Sequence, residues 1–196
     1  PLALRQDSDP ARREFRWPRC EEFNFALDWF DQIAADPAKA QKPALVIVEQ
    51  DGSATRRSFT ELSQRSSQVA NWLRHQGVRR GDRMIIMLGN QVELWELMLA
   101  GIKLGIIMIP TTTLMGPDDL EDRVERGGAN WAAVGSANIG KFAGVPGNYT
   151  LIEVGDGAGN TAALQYAGSA GAAEGFTPEA PTLADEALLL YFTSGT

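Results

Sequence analysis

Met84-Ile85-Ile86-Met87-Leu88-Gly89-Asn90, then Val92 to Leu104, then Gly105-Ile106-Ile107-Met108-Ile109-Pro110, is the stretch that decides the fold. The opening apolar run predicts a strand covered on both faces. Gly89-Asn90 turns the chain. Val92 to Leu104 predicts a helix with Leu94, Leu97, Met98, Gly101 and Ile102 inward, and Gly105 ends it. Ile106 to Ile109 predicts the next buried strand, closed by Pro110. The unit is β-α-β, so its strands are expected to run parallel with a right-handed crossover.

The alternation continues on both sides. Upstream, Phe23, Ala26, Leu27, Phe30 and Ala34 recur at helical spacing and predict an amphipathic helix ending near Pro37. Phe25 and Trp29 lie off that stripe; they read as core on a second side or as lining for an apolar site, with core preferred. Leu45 to Val48 and Thr55 to Phe59 flank Asp51-Gly52 and predict a hairpin. Ser58 and Glu61 have capping-box spacing, with Thr60 as the other candidate cap, for a helix that turns Leu62, Val69, Ala70 and Leu73 inward and stops at Gly77. Downstream, Pro117 opens a helix that ends at Gly127-Gly128. Asn130 to Val134 and Tyr149 to Val154 predict strands, with a short helix or turn over residues 137–142. From Gly155 to Gly175 the chain is Gly/Ala-rich; a mobile excursion is expected, with brief helical character over residues 162–166. The fold class is α/β, with a largely parallel sheet flanked by helices.

Candidate chemistry lies at the end of the chain. Ala187-Leu188-Leu189-Leu190-Tyr191-Phe192 predicts a buried strand that delivers Thr193, Ser194, Gly195 and Thr196. Such a turn offers a glycine for close backbone approach, inward N–H groups and hydroxyl donors, which suits a phosphate. Taken alone it is more often an ordinary turn. Pro110-Thr111-Thr112-Thr113 follows another strand's C-terminal end, where open α/β sheets bind ligands.

Bulk properties narrow the classes. The net charge of −7 argues against nucleic acid and anionic membrane surfaces as partners. Arg12, Arg13, Arg16 and Arg19 cluster beside a polar stretch, residues 1–20, that reads as a solvated tail. A single cysteine, Cys20, excludes an internal disulfide and a cysteine-based metal site. The single histidine, His75, sits just before Gly77 and reads as helix C-terminal decoration rather than a base. No run reaches membrane-span length. Arginine (14) outnumbers lysine (4) and Ala and Gly abound, which suits a GC-rich bacterial gene and, by default, a cytoplasmic location; a mitochondrial enzyme without its transit peptide is the other setting.

Three segments in order carry a resemblance. Ser58-Phe59-Thr60-Glu61-Leu62, Ala100-Gly101-Ile102-Lys103-Leu104-Gly105 with Pro110, and Tyr191-Phe192-Thr193-Ser194-Gly195-Thr196 resemble the first core motifs of the adenylate-forming (AMP-binding) superfamily. Arg80-Gly81-Asp82-Arg83 before a buried strand fits the same pattern. Glu22-Phe23-Asn24-Phe25-Ala26, Ile109-Pro110-Thr111-Thr112-Thr113 and the Tyr-Phe-Thr-Ser-Gly-Thr run look like the medium-chain acyl-CoA synthetases. The likeness spans residues 21–196, the N-terminal α/β portion of an AMP-binding domain, cut within its phosphate-binding loop.

The resemblance implies an acid–thiol ligase of fatty-acid metabolism. A carboxylate attacks the α-phosphate of ATP to give an acyl-adenylate, and coenzyme A then displaces AMP to form a thioester. Thr193, Ser194, Gly195 and Thr196 would help hold the β- and γ-phosphates of ATP. The family's Mg2+ ligand, adenine pocket and catalytic lysine come later in the chain, so residues 1–196 supply no catalytic or metal-binding residue and are expected to be inactive alone. Its partners are small molecules: ATP, a carboxylic acid and CoA. Lys103 falls in a motif, but its stem is expected to snorkel to solvent rather than reach a ligand; the Ala100/Gly101/Gly105 spacing is read as close helix–sheet packing. An open edge beside the last strand is expected to drive self-association of residues 1–196. Two other readings stand beside this one: a standalone non-catalytic binding or assembly module that keeps the fold, and an unrelated P-loop NTPase domain, against which counts the lack of G-x-x-x-x-G-K-[S/T].

Overall fold

A computed structural model describes residues 7–16, 19–157 and 162–192. Thr193, Ser194, Gly195 and Thr196 therefore lie outside the described residues. Helix α1 (Ser8–Glu14) is capped by Asp7 and buries no side chain. A π-helical turn, Phe25–Phe30, runs into α2 (Asp31–Ala35). The Asn24 side chain starts it by accepting from the Ala26 and Leu27 N–H groups, both at 3.1 Å. Strands β1 (Pro43–Val48) and β2 (Ala54–Ser58) form an antiparallel hairpin. Ser58 then caps α3 (Phe59–His75), its hydroxyl accepting from Glu61 N–H while Glu61 accepts from Ser58 N–H. These hydrogen bonds hold the Glu61 carboxyl below its ordinary pKa.

The β-α-β unit is β3 (Arg83–Met87), α4 (Val92–Leu104) and β4 (Ile107–Pro110), and its strands pair in parallel. Helix α5 (Pro117–Glu125) has its proline in the first turn, where the missing N–H costs nothing. Strands β5 (Trp131–Gly135), β6 (Thr150–Val154) and β7 (Leu164–Gln165) complete a parallel sheet of order β4-β3-β5-β6-β7.

Period-two alternation sorts the sheet's side chains between two cores. Met84, Ile86, Met108, Trp131 and Ala133 join α3 and α4 on one face. Ile85, Met87, Ile109, Ala132 and Val134 join α5 on the other. The continuous apolar runs are thus covered on both sides, in a three-layer α/β/α arrangement.

Helix α4 approaches β4 closely because residue 101 has no side chain. A Cβ there would lie 2.8 Å from Met108 Sδ and 3.2 Å from Ile106 Cγ1. Gly101→Ala gains helix propensity of about 1 kcal/mol, but it must push the thioether aside at an overpacking cost of about 1–3 kcal/mol. The net expectation is a lowered thermal midpoint, equivalent to about 1 kcal/mol. A midpoint at or above wild type would show that the interface has room.

Four expectations need correction. Phe25 (43% exposed) and Trp29 (58%) are not core: the π-helical turn buries Ala26 and Phe30 of the predicted stripe, and the two aromatics stay on its outer side. Lys103 does not snorkel: it is 1% exposed, with Nζ 2.9 Å from Asp31 Oδ2, 2.8 Å from Ser67 Oγ and 3.1 Å from Ser63 O. Residues 164–165 are a strand rather than helix, and a 3-10 helix (Tyr166–Gly171) follows with Tyr166 and Ser169 buried. Finally, residues 187–192 form a single parallel bridge, Met108↔Leu189, not a buried strand; Tyr191 is 64% exposed.

Candidate functional site

The sheet order poses a routing problem. The chain leaves β7 at one edge and must reach β4 at the other. Residues 169–186 make that crossing, and α3 guides them with a polar stripe at every third position. Arg65 donates to Ser169 Oγ (3.0 Å), Gln68 to Ala170 O (3.1 Å), and Asn71 to Ala173 and Gly175 O (both 2.8 Å). Arg74 donates to Thr177 O at 3.0 Å and lies over the Phe176 ring. Arg80 then takes over, donating to Pro181 O at 2.7 Å and pairing with Glu186, whose carboxyl it holds below the ordinary range. Phe23 N–H donates to Thr182 O at 2.8 Å and Ala184 N–H to Glu21 O at 2.9 Å, so the segment before the π-helical turn clamps the strap's far end.

The strap starts from a buried polar group. Tyr166 donates to Glu96 Oε2 at 2.5 Å, and Arg65 stands 3.4 Å from the same oxygen. Burial, and then the Glu96 charge, push the Tyr166 phenol's pKa well up, so it stays protonated and keeps donating.

The strap ends on the C-terminal rim of β4. Met108 N–H donates to Leu188 O (3.0 Å) and Leu190 N–H to Met108 O (2.9 Å). Leu189 packs on the α3/α4 core, whereas Leu190 and Phe192 pack on the α5 core. Three residues past the bridge on each chain come Thr111 and Phe192. Thr111 is buried, its N–H bonded to Ile86 O and its hydroxyl donating to Ile109 O at 3.1 Å. Thr112 Oγ1 accepts from Leu114 N–H at 3.3 Å. These hydroxyls of the 110–113 run are therefore engaged in shaping the loop.

Cationic side chains flank the two segments, one beside the 110–113 run and two beside Phe192. Lys141 Nζ donates to Thr113 O at 2.5 Å. The guanidinium carbon of Arg123 lies 4.0 Å from the Phe192 ring centroid and that of Arg126 5.7 Å from it. Asp122 pairs with both arginines, at 3.0 and 3.1 Å. Among the described residues no three His, Cys, Asp or Glu side chains converge to hold a metal. No helix among them is long and apolar enough to cross a membrane.

The remaining sequence motifs serve architecture. Asp82 ties β3 to β5, accepting from Asn130 Nδ2 (2.7 Å), Trp131 Nε1 (3.1 Å) and Arg79 N–H (2.7 Å). His75 is exposed at the last position of α3. Sequence reading missed Arg123, Arg126, Lys141 and the α3 stripe. Of these, only the stripe left a signal, in the three-residue spacing of Arg65, Gln68, Asn71 and Arg74.

Known proteins share this arrangement. An acyl-CoA synthetase from Brucella canis superposes with a TM-score of 0.84 at 21% identity, covering 96% of this chain and 36% of that one. Acetoacetyl-CoA synthetase from Streptomyces lividans gives a TM-score of 0.80 at 17% identity over 92% of this chain and 30% of its own. In sequence, the uncharacterized acyl–CoA ligase YtcI of Bacillus subtilis (strain 168) is 30% identical over 159 residues, 81% of this chain and 30% of that protein. The human mitochondrial acyl-coenzyme A synthetase ACSM2B is 37% identical over 123 residues, 60% of this chain and 21% of that protein. The chain thus spans about a fifth to a third of the length of these relatives. The family model of the AMP-binding enzymes matches residues 32–196, from α2 through the whole sheet, and the chain belongs to that family.

Proposed function

We propose that this chain is the N-terminal α/β portion of an ATP-dependent acyl-CoA synthetase that activates a carboxylic acid, of the medium-chain fatty class, through an acyl-adenylate. Thr193, Ser194, Gly195 and Thr196 hold the β- and γ-phosphates of ATP. The observation that carries this reading is the delivery of the chain onto β4 by the Met108↔Leu189 bridge, which brings Phe192, the residue before Thr193, to the α5 side of the sheet. Phosphoryl chemistry of this kind is mostly positioning and charge stabilisation. The strap fixes the approach of Phe192 to the sheet, beside Arg123 and Arg126. In the family the adenine pocket and most of the acyl pocket come later in the chain, so the exchange reaction is expected to need the rest of the gene product. The location proposed is the cytoplasm.

The test is carboxylate-dependent ATP–pyrophosphate exchange by the full gene product, with medium-chain fatty acids compared against acetate and benzoate. Exchange is expected with the fatty acids, lowered about 100-fold by Ser194→Ala through loss of one phosphate donor. Residues 1–196 alone should show no exchange above the Ser194→Ala background. No exchange by the full product with any acid would overturn the ligase reading in favour of a non-catalytic binding module.

A further inference from the structure

We propose that an apolar groove beside the N-terminal end of β4 seats a later segment of the same gene product; the inference rests on the reading above that this chain is the N-terminal portion of a longer enzyme. The groove is a cavity of about 170 Å³. One wall is Phe23 and Phe25, the other is Leu183 and Leu188 at the far end of the strap, and Ile102 and Ile106 form the floor. The four wall side chains are each 39–50% exposed. Large apolar side chains gathered around one cavity mark a contact surface, unlike apolar residues scattered singly. The walls are fixed before anything arrives. Glu22 and Leu183 form an antiparallel bridge, and Phe23 N–H donates to Thr182 O at 2.8 Å. Asn24, 4% exposed, donates to Ile102 O at 2.7 Å and to Thr182 Oγ1 at 2.9 Å.

The lining decides what fits. Glu186 accepts from Leu183 N–H at 2.8 Å and pairs with Arg80, so the polar side chains of the groove, Asn24, Thr182 and Glu186, are committed to their neighbours. What remains for an occupant is apolar. A cavity of about 150 Å³ holds benzene, so this one takes an aromatic or branched aliphatic side chain. A fatty acid's carboxylate would meet Glu186 and no cation among the lining residues. Size then selects the source. Two separate proteins that associate stably bring about 20–30 residues a side, because they must offset lost translational and rotational freedom. This groove has twelve lining residues, too few for a second copy of the chain. A segment tethered to the same chain has already given up most of that freedom, and a few apolar contacts seat it. Such a segment is at hand: the chain spans about a fifth to a third of the length of its relatives.

The experiment uses the full gene product carrying Leu183→Cys, with the exposed Cys20 as internal reference. The native protein is treated with iodoacetamide, and modification at each position is read by peptide mass. The introduced thiol is expected to react about tenfold or more slower than Cys20, and at the same rate as Cys20 in concentrated urea, because access governs the difference. Leu188→Cys should be protected alike, and it decides should Leu183→Cys not fold. Reaction at the Cys20 rate in the native protein overturns the inference. Protection that is lost on dilution overturns it in favour of a second copy, and protection that forms only with added fatty acid overturns it in favour of a substrate site. Labelling needs no enzymatic activity, so the two failures are told apart. A wild-type product without exchange defeats the ligase reading, whereas an exchange-active product with an open groove defeats this inference alone.

Discussion

Asp31→Ala is expected to lower the unfolding free energy by about 3 kcal/mol, a large effect for one surface-facing carboxylate. The reason is Lys103. Its Nζ has three acceptors, Asp31 Oδ2, Ser67 Oγ and Ser63 O, which match its three donors. Asp31 also accepts from the Ser63 hydroxyl at 2.7 Å, so α2, α3 and α4 meet at one charge network. Among the described residues, Asp31 is the one carboxylate paired with the ammonium. Removing it leaves a buried cation with two neutral acceptors, and breaking such a pair costs about 3–5 kcal/mol. Asp31 is 24% exposed, so water softens the loss and the lower end of that range applies.

The companion variant separates charge from packing. Asp31→Ala combined with Lys103→Met replaces the pair by an apolar chain of similar length and should return to within about 1 kcal/mol of wild type. Urea midpoints at constant m would measure both. The pH dependence has a definite sign. Burial lowers the Lys103 pKa below the 10.5 of a free lysine. Between those two values the unfolded chain binds more protons than the folded one, so Lys103 makes stability rise with pH through that alkaline window. Lys103→Met should lack the rise. A loss below 1 kcal/mol in Asp31→Ala would mean that the ammonium finds water, and the network account would fail.

Lys103 also shows where sequence reading ends. Its helix was legible, because Val92–Leu104 has apolar periodicity and a Gly105 stop, and φ at Gly105 is +74°. Its partner was not, because Asp31 lies in another helix and nothing local marks the pair. The same division holds elsewhere. The β3-α4-β4 unit depends on neighbours in the chain, and its elements and pairing follow from the pattern. Strand β7 depends on pairing of Ile152 with Leu164 across a Gly/Ala-rich stretch that has little propensity of its own. At the site, Pro110–Thr113 was legible as the run that follows a strand, whereas residues 187–192 read as a buried strand and form a single bridge; Arg123 sits on the polar side of α5 like any solvated arginine until Phe192 arrives beside it. Thr193, Ser194, Gly195 and Thr196 rest on sequence alone.

Trp72→Ala is expected to cost about 4 kcal/mol, within the range for deleting a large aromatic from a core. Trp72 is 8% exposed and lies where α3 meets the start of the strap. Its ring stands edge-on to Tyr166, with centroids 6.5 Å apart and planes at 75°. The Gly168 backbone passes so close that a Cβ there would be 3.2 Å from Trp72 Nε1. Truncation therefore opens a cavity and also frees Tyr166 to leave Glu96, a buried acid that would keep only Arg65 at 3.4 Å. Trp72→Phe retains a ring and should lose about 1–2 kcal/mol. The two variants should differ in kind as well as size. With Trp72 gone, the α3 stripe from Gln68 to Arg74 still donates to the strap, but those bonds are largely exposed and individually weak. Limited proteolysis in mild urea should then cut Trp72→Ala between residues 164 and 187 before the sheet unfolds, while Trp72→Phe resists. Cleavage that appears only with global unfolding would show that the polar stripe holds the strap without the aromatic anchor. If the strap does open first, the segment that ends at Phe192 loses its approach to β4, and phosphate binding in the full gene product should weaken with it, although Trp72 itself lies with the α3/α4 core, on the opposite face of the sheet from Arg123.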